Sequence, residues 1–196
     1  LIKRWDTSDD EQYFFDTDHA NPSAGAGQTQ SNSVTYNVTT PATPTTAEMS
    51  AAIIYAMQCI IGAKTEKGRL LNSSARRFVV RVPLTFMGAA AGALGSTVIA
   101  DTVSVSNTLV TLATLAGYQI ELWVDPRSVW TTKFAVFRAD GRNPALVRQE
   151  EQALQIKAQA EGSPIEFAED VHEYGLNATR AAGYGFWESA VLVTLN

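Results

Sequence analysis

Thr45 and Glu48 stand three residues apart just ahead of an apolar run, and no other spacing constrains this chain as tightly. A hydroxyl and a carboxylate so placed can exchange hydrogen bonds with each other's backbone amides, the capping box that opens a helix. Ile53, Ile54, Met57, Ile60 and Ile61 then recur at i, i+1, i+4, i+7 and i+8, which is one helical face. Gly62 is predicted to end the helix by entering the left-handed conformation. A helix with a single apolar face must lay it on another element, and the rest of the chain offers strands. Phe78-Val79-Val80-Arg81-Val82 reads as one, with Pro83 marking its end or an edge position. Tyr118, Ile120, Leu122 and Val124 alternate with Gln119, Glu121 and Trp123, a half-buried strand closed by Asp125-Pro126. Residues 132–138 form another, with Phe134 and Val136 on one face and Asp140-Gly141 as the turn beyond it. The fold class is α+β.

The connecting segments are less regular. Residues 21–46 are rich in Ser, Thr, Asn, Gly, Pro and Gln and are expected to be a long loop, with a strand over 33–39 where Val34, Tyr36 and Val38 alternate with polar residues. Residues 1–5 read as the tail of an element that began upstream, and 6–11 as an acidic turn. Residues 84–94, rich in Ala and Gly, suit a short, closely packed helix, although their glycines weaken it. Residues 98–106 alternate imperfectly, and 109–116 read as a helix stopped by Gly117. Over 145–160 the Glu, Gln and Ala content favours helix while the first part reads equally as strand. Residues 165–171 and 190–195 read as closing strands. Loops of this length exceed what compact enzymes keep and suit a subunit that a partner orders.

Composition narrows the function classes. The chain has 196 residues, enough for one large domain or two small ones. Its charged fraction of 18% is below the roughly 25% usual for soluble domains, as expected of a surface hidden against neighbours. A net charge of −5, with Lys3-Arg4 and Arg76-Arg77 as the longest basic runs, argues against a free nucleic-acid binder. Cys59 is the sole cysteine, so no intramolecular disulfide framework exists. It falls in the apolar helical pattern and is expected to be a buried, reduced thiol. No segment approaches the ~20 apolar residues of a membrane span, and no membrane partner is expected. Since the chain starts on Leu1, it is expected to be a cleaved or truncated form of something longer.

Chemistry-bearing constellations are weak. Asp16, Asp18 and His19 set two carboxylates beside an imidazole, sensible donors for a cation, but a Mg²⁺ or Ca²⁺ site needs more oxygens than this stretch supplies. The expectation is that Asp16 and Asp18 accept backbone hydrogen bonds in a turn and His19 packs at the loop base. His19 and His172 are the only imidazoles, and no Ser or Cys sits in a nucleophile elbow. Residues 88–95 are glycine-rich without the Lys-Ser/Thr ending of a phosphate loop. Asn37, Asn72 and Asn177 match the glycosylation pattern, as Ser/Thr-rich sequence often does by chance. No enzyme activity, metal or cofactor is expected.

Two stretches resemble the major capsid (major head) subunit of Mu-like tailed phages and prophages. One is Phe14-Phe15-Asp16-Thr17-Asp18-His19 with the polar segment ending at Ser31-Asn32. The other is Arg180-Ala181-Ala182-Gly183-Tyr184-Gly185-Phe186-Trp187, leading into Ala190-Val191. Asn143-Pro144-Ala145-Leu146-Val147 and Glu173-Tyr174-Gly175 are similar to that family in order and spacing. The resemblance implies the HK97-like phage capsid fold: axial domain plus part of the peripheral domain, with the N-terminal arm, the extended loop and most of the spine helix missing. It divides the chain into 1–46 (end of the spine helix and the polar loop), 47–140 (axial α/β domain) and 141–196 (return to the peripheral sheet). It further implies a self-assembling virion protein whose copies form pentamers and hexamers of an icosahedral head around DNA. That head is built in the bacterial cytoplasm, with other phage head proteins as further partners. Phe14, Phe15, Asp16, Asp18, His19, Arg180, Gly183, Tyr184, Gly185, Phe186 and Trp187 are the interface or structural candidates. The glycines are expected to allow close approach or unusual dihedrals, and the rings to bury area near a subunit contact. Some shells of this fold carry Lys–Asn isopeptide crosslinks, but nothing in the sequence designates a pair.

Two alternatives come from other classes. The polar loop and the four Trp would serve an extracellular adhesive or carbohydrate-binding module, and an encapsulin-like compartment would share the fold and differ in cargo.

Overall fold

A computed structural model describes residues 13–20, 29–65, 67–100, 104–159 and 161–196. The expectations for residues 1–5 and 6–11, and for the first part of the polar loop, 21–28, lie outside these. Two compact units are seen, Leu1–Ala145 with Tyr184–Asn196, and Leu146–Gly183.

The first unit is organised by one helix on one sheet. Helix α1 (Thr46–Gly62) starts where the capping box is: the Thr45 hydroxyl accepts the Glu48 amide, and the Glu48 carboxylate accepts the Thr45 amide at 2.8 Å. Its buried face is Met49, Ala52, Ile53, Ala56, Met57 and Ile60, while Ile54 and Ile61 lie at its margins. Gly62 does not take the left-handed conformation; the chain leaves through an extended Ala63 whose amide still bonds to the Ile60 carbonyl. The helix therefore ends by backbone redirection, and the glycine is dispensable to that turn.

Beneath α1 lies a five-stranded mixed sheet in the order β3-β11-β8-β4-β7, made of β3 (Ser33–Tyr36), β4 (Arg77–Pro83), β7 (Gln119–Asp125), β8 (Lys133–Arg138) and β11 (Ala190–Leu195). It draws strands from all three sequence segments distinguished above. Because side chains alternate in a strand, register decides what faces the helix. Val80 pairs with Leu122 on one side and Val136 on the other, and Val136 pairs with Val191. Phe134 pairs with Val193, and Val193 with Val34. All of these belong to the core under α1. Pro83 ends β4, a central strand flanked by β7 and β8, so it marks the strand's end and not a sheet edge.

The remaining helices follow their sequence signals. A 3₁₀ turn (Leu84–Phe86) leads into α2 (Met87–Gly95), which packs on α1; a Cβ at Gly92 would lie 3.0 Å from the Thr46 side chain, so a larger residue at this crossing needs Thr46 to give way. α3 (Thr108–Ala116) is capped by Asn107 and stopped by Gly117 at φ 69°. The buried Asn107 amide donates to the Ala93 and Ser96 carbonyls and its oxygen accepts the Ser50 hydroxyl, so one side chain locks the three helices together. Two short strand pairings and one isolated bridge are also found among the described residues of the unit: β1 (His19–Ala20) with β2 (Thr29–Gln30), β5 (Val98–Ala100) with β6 (Ser104–Ser106), and the bridge between Lys64 and Leu70.

The second unit is a ribbon of two strands, β9 (Leu146–Gln159) and β10 (Glu173–Tyr184), joined through α4 (Pro164–Glu169). The ambiguous 145–160 segment is thus strand throughout β9. Residues 165–171, expected as a strand, mostly form α4. Ser163 caps it by accepting the Glu166 amide, Pro164 supplies the preset first dihedral, and Asp170 closes it at φ 54°. Lys157 lies against Gly175 and Glu150 against Arg180, which runs the two strands in opposite directions. Among its described residues none is buried.

Candidate functional site

The segments 14–19 and 184–190, remote in sequence, meet at one joint in the first unit. Phe14 is 1% exposed and packs with Ala145 and Ala190, bordered by Phe15, Phe137 and Trp187. Its ring lies edge-on to Phe15 at 4.8 Å and tilted to Tyr184 at 5.0 Å. Trp187 stacks flat on His19, with centroids 4.1 Å apart and planes 6° from parallel. Such contacts contribute about 0.5–1.5 kcal/mol each beyond the area they bury.

Asn32 ties the joint together. It is 2% exposed, and its amide nitrogen donates to the Phe14 carbonyl at 2.7 Å and the Trp187 carbonyl at 3.2 Å. Its side-chain oxygen accepts the Asp16 amide at 2.9 Å and lies 3.0 Å from Nε2 of His19. The Asn32 backbone joins in as well: its carbonyl accepts the Leu192 amide, and its amide donates to the Asp16 carbonyl. A buried polar side chain is tolerated only when so satisfied.

A second asparagine does the same at the other end of the β11 approach. Asn72 donates to the Ile60 and Glu188 carbonyls and accepts Nη1 of Arg138 at 2.7 Å. Arg138 also binds Asp140 through Nε at 2.8 Å, and Asp140 accepts the Arg76 amide at 2.7 Å. Burial alone would raise the Asp140 carboxyl, but Arg138 and the backbone amides outweigh it and hold it below the usual carboxylate range. The Asn72 match to a glycosylation pattern is therefore a buried structural group.

The expected site residues divide between the units. Phe14, Phe15, Asp16, His19, Tyr184, Gly185 and Trp187 come together. Asp16 accepts the Thr17 amide at 2.7 Å and the Tyr13 amide at 3.3 Å, as a turn carboxylate does; burial would raise it, and these bonds, Asp18 and His19 bring it below its ordinary value. Asp18 is exposed beside it. The Gly185 amide donates to the Ala145 carbonyl and that of Phe186 to the Pro144 carbonyl, while the Phe186 ring is 45% exposed. Arg180 and Gly183 lie on β10, where Arg180 is 4.0 Å from Glu150. The expectation of unusual dihedrals or close approach fails at Gly183, whose φ is not positive and whose Cβ would meet open space. Asn72, Arg138 and Asp140 were missed in the sequence; a polar residue at a turn beside a strand end gives no sign that it is buried.

Beside the joint a cleft of about 230 Å³ opens among Gln30, Asn32, Cys59, Trp187 and Glu188. Cys59 is half-buried there and not sequestered in the core. Burial pushes its thiol up, against the opposing hydrogen bond to Tyr55, which lowers its thiolate content and its reactivity. The cleft is smaller than the ~300 Å³ at which small-molecule sites begin.

No family model matches the chain, and neither does any curated protein. Among solved structures, the chain is similar to the capsid of the cyanophage P-SCSP1u at 12% identity and a TM-score of 0.48, over 86% of this chain and 54% of that one. It is also similar to the mature capsid of bacteriophage PhiM1 at 14% identity and a TM-score of 0.45, over 84% of this chain and 51% of that one. The chain spans about half the length of these two structures' chains.

Proposed function

We propose that the chain is a shell-forming subunit: a major capsid protein of Mu-like, HK97-type character whose copies tile an icosahedral phage head around DNA, without catalysis. The observation that carries this reading is the joint. The two segments that resemble the Mu-like head subunit are far apart in sequence, with 155 positions between Asn32 and Trp187, yet their residues bond and stack on one another. Chance similarity in two short motifs gives no reason for them to touch, whereas an inherited joint does. The bare second unit adds support, since a two-stranded ribbon is marginally stable alone in water and a subunit in a shell has neighbours to cover it. Pentamers and hexamers, assembly in the host cytoplasm, residence in the virion and contact with other head proteins follow from the same reading.

Native mass spectrometry with negative-stain microscopy tests it, on this chain and on the longest product of the gene that encodes it. Shells or ring-shaped capsomers from the gene product are the expected result. Stable monomers of both, under conditions that assemble other phage shells, would overturn the proposal.

A further inference from the structure

We draw no further inference here: the strongest candidate, the outer edge of β7 at the end of the five-stranded sheet, where Ile120, Leu122 and Val124 are half-buried, carries nothing because nothing in the structure shows what covers it.

Discussion

Asn32 shows how much of this fold rests on single polar side chains. Its one amide group reaches the Phe14 and Trp187 carbonyls and the Asp16 amide, so Asn32→Ala strands three backbone groups, the Phe14 carbonyl in a buried bond and the other two in part-buried ones. Each unsatisfied group costs about 1–3 kcal/mol, and the variant is expected to lose about 3 kcal/mol or more in urea denaturation. A loss under 1 kcal/mol would mean water enters and replaces the amide. Glu48 makes a pH-dependent counterpart. The Thr39 amide, at 2.6 Å, is the main cause of its lowered carboxyl pKa, joined by the Thr45 amide against a smaller opposing effect of burial, and the value is held to about 2 from an ordinary 4.5. A folded-state pKa below the unfolded one gives stability that is present above about 4.5 and lost as pH falls through about 2. Asp16, Asp125 and Asp140 are lowered too, so the measurement is the stability difference between wild type and Glu48→Gln. It is expected to shrink across that window, and a constant difference would refute the assignment.

At the scale of elements, the α1–α2 crossing offers a paired comparison. Gly92 has the Thr46 side chain 3.0 Å from where its Cβ would be, while Gly95 in the same helix has open space. Gly92→Val is expected to cost about 1–3 kcal/mol by overpacking. Gly95→Ala is expected to be neutral or to stabilise by up to about 1 kcal/mol through helix propensity. Thermal unfolding of the two side by side decides whether α2 is held by its small residues. Which elements were legible follows from where their signals reside. α1 and α3 announce themselves locally, through the Thr45–Glu48 box and the Gly117 stop, and β4, β7 and β8 through alternation against a helix-covered face. The segment of β9 gave a composition suited to helix because its strand state is fixed by β10, a partner that local composition does not contain. α4 was misread since Ile165 and Phe167 alternate, although Ser163-Pro164 with Glu166 three residues after the serine is a helix start. The joint was half legible: the two motifs were identifiable, but the Asn72–Arg138–Asp140 linkage that braces them joins residues that only the folded sheet brings together.

The whole molecule separates into a unit with a core and a unit without one. Ala145 and Gly185 are joined by a backbone hydrogen bond of 2.9 Å, so the first unit can be closed by a short linker. Replacing residues 147–182 with a few Gly and Ser is expected to leave α1 and β11 as protected in amide exchange as before, because none of the described residues in their core comes from the ribbon. Collapse of that protection would show that the ribbon holds the sheet. The position of β11 has a consequence for how the protein is made. It lies between β8 and β3 and bonds to both, while its residues follow β3 by more than a hundred and fifty positions. A ribosome delivers β3, α1, β4, β7 and β8 long before the strand that joins β3 to the rest, and until then β8 keeps an open edge. Unpaired edges recruit other chains. A cell making many copies at once must therefore carry each nascent chain through a stage in which β8 can pair with the wrong neighbour, and that interval ends only when Val191 to Leu195 slide into the gap.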